Sequence, residues 1–177
     1  MAFHSSSANI VQVQKTFKGT RYTTSSTSWT DISGLNVSIT PKFANSKIII
    51  TCTMGACGTN RNNLDHGPAL QCLRNIAGGG YGIGSGMVGD SDGSRTRFTM
   101  RGAGWAYNHD HMPGGVGFTL IDDPSYSVGN ALNYKVQVMC QSSSYVFVLN
   151  GNVLNPNNST IHSGRSCSTI MVQEMAQ

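Results

Sequence analysis

Charge is what this chain has least of. Asp, Glu, Lys and Arg together make up 11% of its 177 residues, less than half the share usual in a soluble domain. The formal charge of +4 is mild and comes without a Lys/Arg run. Phosphate neutralisation needs clustered basic residues, so nucleic acid is not expected as a partner. No apolar run approaches the ~20 residues of a membrane helix, and no membrane insertion is expected. The opening stretch MAFHSSSANIVQVQ lacks both the basic start and the apolar core of a secretory signal. Synthesis in a cytoplasm, with the first residues retained, is the resulting expectation.

Metal and redox signatures are missing too. Cys52, Cys57, Cys72, Cys140 and Cys167 are odd in number and irregularly spaced, with no CxxC pair. Cys52 and Cys140 fall on the apolar faces of alternating runs, where small buried thiols belong. All five are expected to be reduced and structural. Helical periodicity is absent as well: no window of ~11–18 residues repeats apolar positions at i, i+3, i+4 and i+7 without Gly or Pro.

Period-two alternation is what remains, and it is strong. Val11 and Val13 begin a first run that ends near Phe17. In residues 25–41, SSTSWTDISGLNVSITP, Leu35, Val37 and Ile39 point one way while Asn36, Ser38 and Thr40 point the other. KIIITCTM lines Ile48, Ile50, Cys52 and Met54 on one face. GVGFTLI does the same with Val116, Phe118 and Leu120, and NYKVQVMC with Tyr134, Val136, Val138 and Cys140. YVFVLNG places Tyr145, Phe147 and Leu149 together, and STIMVQEM alternates Ile170 and Val172 with Thr169, Met171 and Gln173. Short strands at roughly 8–12-residue spacing, separated by Gly/Pro/Asn/Ser clusters, indicate an all-β sandwich or barrel. The connections around Pro41 and around residues 141–144 read as hairpins.

Residues 55–115 read differently. Gly recurs, with a peak in IAGGGYGIGSGMVG, and alternation is poor. The interspersed Leu70, Leu73, Tyr81, Met87, Phe98 and Trp105 argue for edge strands and long loops laid on a rigid sandwich, the usual place for variable contacts. The expected organisation is an N-terminal arm over residues 1–9 and one β-sandwich domain over 10–177. A neutral surface rich in hydroxyls and amides suits hydrogen bonding to carbohydrate or to neighbouring subunits.

TSSTSWTDISGLNVSITPKFANSKIII, followed by GFTLIDDPSYSVGNALNYKVQVMC, VFVLNG and the terminal STIMVQEM, resembles a small β-domain common in virion proteins of tailed phages of marine and cyanobacterial hosts. The order of these pieces carries the likeness, over about residues 10–52 and 116–175. The resemblance implies a jelly-roll knob akin to complement and tumour-necrosis-factor-like domains, assembled as a homotrimer. Leu35, Val37, Ile39, Ile48, Ile50, Tyr134, Val136, Val138, Ile170 and Val172 would be its frame, and residues 122–124, DDP, the turn after a strand. Imperfectly alternating positions such as Ile49 and Met171 would be buried on trimerisation. It further implies a virion location after synthesis in the host cytoplasm, with other virion proteins as partners. Such knobs normally follow a long fibre shaft, whereas only about nine residues precede the first strand here. Two roles follow: a tail-fibre knob touching host surface glycan, or a decoration protein binding the assembled capsid.

Candidate chemistry is sparse. In extended chain, His109 and His111 would point to one face and could hold Zn²⁺ or Ni²⁺ with a third ligand; the competing reading, a polar loop beside MPGG, is favoured because lone HxH pairs are weak signals. GDSDGS resembles a calcium-loop fragment, but the carboxylate an EF-hand needs twelfth from Asp90 is Arg101; a tight Asp/Gly turn is expected. The Gly78 to Gly86 cluster lacks the Lys-Ser/Thr of a phosphate loop. Ser85 has no helix to follow it as a nucleophile elbow requires, and of the carboxylate pairs on offer for glycoside hydrolysis, Asp122 with Asp123 and Asp90 with Asp92, the first is read as the turn before Pro124. No enzymatic activity and no cofactor are expected. Tyr81, Trp105 and Tyr107 offer ring faces suited to sugars, and Arg95, Arg97 and Arg101 could pair acidic sugars or lipopolysaccharide phosphate. The plainer alternative is a solvated arginine face, with Trp29 in core or interface.

Overall fold

The computed structural model describes residues 9–60, 66–102, 112–155, 157 and 159–177. They form β1 (Asn9–Lys18), β2 (Tyr22–Thr24), β3 (Thr30–Ile39), β4 (Lys47–Met54), β5 (Cys57–Thr59), β6 (Ala69–Ile76), β7 (Met100–Arg101), β8 (Val116–Asp122), β9 (Leu132–Met139), β10 (Phe147–Leu149) and β11 (Ser168–Ala176). A 3-10 turn spans Ile161–Ser163. Every pairing is antiparallel.

One four-stranded sheet runs β1-β11-β4-β8 and a second runs β3-β9-β6-β7, while β2-β10-β5 forms a third, three-stranded sheet. The interleaving of the two larger sheets is jelly-roll-like: neighbours in a sheet are mostly remote in sequence. Their inward faces share one core. Ile48, Ile50, Cys52, Ile170 and Val172 come from the first sheet, and Leu35, Val37, Ile39, Leu70, Cys72, Tyr134, Val136 and Val138 from the second. All ten frame positions read from the sequence lie in this core. Burying a Val, Leu or Ile side chain contributes about 1.5–3 kcal/mol, so the period-two pattern also fixes register: a one-residue slip would turn each run's apolar set to solvent.

Three expectations are corrected. Neither connection read as a hairpin is one. β3 pairs with β9 whereas β4 pairs with β11 and β8, and β10 pairs with β2 and β5 rather than with β9. Both turns are crossings between sheets, because each strand's apolar face must meet the other's across the core. Residues 55–115 also contain more than edges and loops: β6 lies between β9 and β7. Its Leu70, Gln71, Cys72 and Leu73 are all buried in succession, and a strand covered on both faces has no alternation to read. Val148 in β10 is buried like its neighbours for the same reason. Finally, Asp122 is not a turn residue but the last residue of β8, and it is buried.

The inward face of β11 is apolar in the middle and polar at both ends. At one end the Ser168 hydroxyl donates to Asn150 Oδ1 at 2.6 Å, and Asn150 Nδ2 donates to the Lys18 carbonyl at 2.8 Å. At the other, Glu174 is fully buried and accepts from the Lys42 N–H (3.0 Å to each oxygen), the Phe43 N–H (3.0 Å), the Ser46 hydroxyl (2.8 Å) and Gln12 Nε2 (2.7 Å). Burial alone would push this carboxyl up. The donors, led by the two backbone N–H groups, outweigh it and hold the pKa below the usual 4.5.

That depression has a stated sign. Stability from ionised Glu174 is complete above the unfolded value near 4.5 and is lost as pH falls through the lower folded value. We expect Glu174→Ala to destabilise the fold by about 3 kcal/mol, since buried backbone donors lose their acceptor. In Glu174→Gln the part of the acid-induced stability loss that belongs to this group should vanish. Urea unfolding between pH 3 and 7 measures both.

Candidate functional site

The second sheet is irregular at one place. Asp31 pairs with Gln137 and Asn36 with Lys135, so residues 32–35 of β3 face the single Val136 of β9. A bulge of this kind bends a strand and re-aims its side chains. Ile32 and Leu35 still reach the core, while Ser33 and Gly34 lie exposed between them. Gly34 adopts φ +79°, in the left-handed region that disfavours side chains. The outcome is a depression of about 360 Å³ on the outer face of the sheet, lined by Asp31, Ser33, Gly34, Asn36, Lys135 and Tyr81.

Its polar groups form a continuous ladder. Gln71 Nε2 donates to Gln137 Oε1 at 2.8 Å, and Gln137 Nε2 donates to Asp31 Oδ1 at 2.7 Å. Lys135 Nζ donates to Asp31 Oδ2 at 2.9 Å and stands 2.8 Å from Oδ1. The same ammonium lies 4.0 Å from the centroid of the Tyr81 ring, a cation–π distance. Partial burial pushes the Asp31 carboxyl up, but hydrogen bonds from Lys135 and Gln137 and the ammonium charge hold it below its usual range. Asp31 is nevertheless 55% exposed at its side chain, and Tyr81 is 43% exposed. The arrangement presents a fixed carboxylate, an amide, a hydroxyl and a ring to solvent. Carboxylate, amide and hydroxyl can hydrogen-bond a polar ligand, and the ring face can pack against its apolar side.

Among the described residues, Tyr81 is the one sequence-predicted contact residue that lines this depression. Arg95 sits on an exposed turn where it pairs with Asp92, and Arg97 Nε donates to the Gly89 carbonyl at 2.6 Å. The GDSDGS stretch therefore includes a tight turn, with Gly93 at φ +55°. Arg101 lines a separate depression of about 420 Å³ with Gly67, Thr96, Phe98, Met139 and Gln141, its Nε donating to the Gly67 carbonyl at 3.3 Å. The three arginines have different local partners, and none lines the Tyr81 depression. Trp105, Tyr107, His109 and His111 lie outside the described residues. Among the described residues no three His, Cys, Asp or Glu side chains are grouped to hold a metal.

Asp31, Asn36, Lys135 and Gln137 went unselected in the sequence. The outward half of NYKVQV does carry Asn133, Lys135 and Gln137, and a Gly inside an alternating run is a bulge signal. What the sequence does not encode locally is that residues 104 and 106 positions downstream of Asp31 become its partners.

The cysteines offer no nucleophile in the core. Burial pushes the Cys52 and Cys72 thiols up to about 12 and raises Cys57 and Cys140 as well, so these groups stay protonated near neutrality. In comparisons with known proteins, no family model matches the chain and no curated protein matches it significantly.

The bulge makes a checkable demand on position 34. Gly34→Ala should destabilise the protein by about 1–2 kcal/mol, because a Cβ is forced into the left-handed region. Gly34→Asn should lose less, as Asn tolerates that region better. Chemical denaturation of the pair gives the order directly.

Proposed function

We propose that this chain is a non-enzymatic structural protein of a tailed-phage virion, a tail knob that assembles as a homotrimer and contacts host surface glycan. The observation that carries the self-association is the outward face of the β1-β11-β4-β8 sheet. Its three central rows read Val13, Gln173, Ile49, Ile121; then Lys15, Met171, Thr51, Thr119; then Phe17, Thr169, Thr53, Gly117. Lys15 is the single charged residue among them. Phe17 is 66% exposed, Ile121 58% and Val13 46%.

Exposed Phe17, Val13 and Ile121 stand here among threonines and a glutamine rather than among ions, and depletion of charge marks the centre of an interface. A surface with almost no charge pattern suits copies of itself, since it presents no unmatched ion to bury. Ile49 and Met171, which the resemblance would bury on trimerisation, both stand on this face. The particle and the glycan contact rest on the sequence resemblance and on the hydroxyl- and amide-rich exterior. The non-enzymatic role rests on the same resemblance; the four buried, protonated thiols speak only against those cysteines as nucleophiles, and Cys167 is exposed.

In solution the chain should sediment at three times its 18.9 kDa mass at micromolar concentration, and Ile121→Lys should shift it to monomer. A monomeric wild type at tens of micromolar would overturn the self-association. Immunogold labelling of intact particles should decorate the tail. Gold over the head would replace the knob with a capsid-decoration protein, and absence of the chain from purified particles would overturn the virion reading.

A further inference from the structure

We propose that the depression beside the β3 bulge is a subsite for a neutral pyranose, held by Asp31 and Asn36 and stacked against Tyr81. The inference deepens the glycan-contact reading and rests on it. None of Asp31, Asn36 and Lys135 was singled out by the sequence.

Three features fix the ligand class. The first is charge. The Asp31 carboxylate and the Lys135 ammonium are matched at 2.8–2.9 Å, so the one cation that lines the depression is not spare for a sialic or uronic acid. An acidic sugar would instead meet the Asp31 oxygens, and like charges repel at such separations. The second is hydrogen-bonding capacity. Each carboxylate oxygen has two lone-pair directions, and more than half of the Asp31 side chain faces solvent. Gln137 and Lys135 take Oδ1 and Lys135 one direction of Oδ2, which leaves Oδ2 to accept from one sugar hydroxyl, and Asn36 and Ser33 add an amide and a hydroxyl at the same rim. The third is the Tyr81 ring. It is anchored on the Lys135 ammonium yet 43% exposed, which suits the apolar CH face of a pyranose.

The site is also pre-organised. Asp31 is steered by Gln137, which is held by Gln71, a side chain only 6% exposed. Side chains locked by neighbours on two strands lose little freedom when a ligand arrives. The volume of about 360 Å³ falls within the range of small-molecule sites and has room for one sugar ring.

The test uses the full chain. Methyl glycosides of glucose, galactose, mannose and N-acetylglucosamine serve as neutral probes, with sialyllactose and oligogalacturonate as acidic ones, read by saturation-transfer NMR and titration. We expect a neutral glycoside to bind. Asp31→Asn, Asn36→Ala and Tyr81→Ala should each weaken it at least ten-fold, Tyr81→Phe should retain most of the affinity, and Leu154→Ser, remote in sequence and exposed, should change nothing. Thermal unfolding of each variant separates a lost contact from a lost fold, and Asn36→Ala, at an exposed position, remains informative if Asp31→Asn fails to fold. Neutral binding indifferent to all three site variants would overturn the subsite. So would binding restricted to acidic sugars and abolished by Arg101→Ala, although glycan contact itself would then stand. A wild type that binds no sugar of either kind would overturn the subsite and the glycan reading together.

Discussion

Two carboxylates in one row hold this sandwich together at one end. Across the first sheet, Glu174 of β11 and Asp122 of β8 flank Ile48 of β4, all three turned inward and all buried. Each acid is held by a different part of the chain. Glu174 binds the β3–β4 crossing through Lys42, Phe43 and Ser46. Asp122 accepts from Arg74 of β6 at 2.5 Å and from the Tyr134 hydroxyl of β9 at 2.8 Å, so it joins the first sheet to the second. Burial, and then the neighbouring Asp122, push the Tyr134 hydroxyl's pKa far up, which leaves it a donor at any ordinary pH. A buried pair with one partner removed is costly, by about 3–5 kcal/mol. The row therefore specifies which strands may face one another as much as it adds stability.

With the inward faces committed to that core, the outward faces diverge. The first sheet turns out Phe17, Ile121, Val13 and a set of threonines; the second turns out Asp31, Asn36, Ser38, Lys135 and Gln137. Period-two geometry makes this division possible, since each strand carries one residue set for the core and another for the exterior. One exterior suits subunit contact and the other suits a polar ligand. The bulge at Gly34 adds concavity to the polar face without removing Ile32 or Leu35 from the core.

How far the sequence discloses this depends on whether a strand has one wet face. β3, β4, β8, β9 and β11 do, and their alternation is legible residue by residue. β6 does not, and its burial on both faces erased the signal; β10 was legible through Phe147 and Leu149, but not the burial of Val148 between them. The hairpin expectations failed for a related reason: a turn composition reports that the chain bends, not whether the next strand joins the same sheet. Glu174 shows a further limit. It sits in phase with Ile170 and Val172, so the pattern places an acid in the core, but only the folded β3–β4 crossing supplies the donors that make such a place tolerable. At the site, Tyr81 was visible as an aromatic in a Gly-rich stretch. Its partners were ordinary polar residues whose meaning arises from pairing over a hundred positions apart.

The order of strands in the first sheet also sets a timetable. β11 lies between β1 and β4, so β1 hydrogen-bonds to residues made about 150 positions later. Contacts of such separation are slow to form, because the loop must be closed before the pairing rewards it. During synthesis β1 and β4 wait without their shared neighbour until residues 168–176 have left the ribosome. The outward face of this sheet is thus completed in a single step, when β11 slides between two earlier strands. A ribosome that stalls before that point releases a chain with two open strand edges, a substrate for chaperones rather than a partly built subunit.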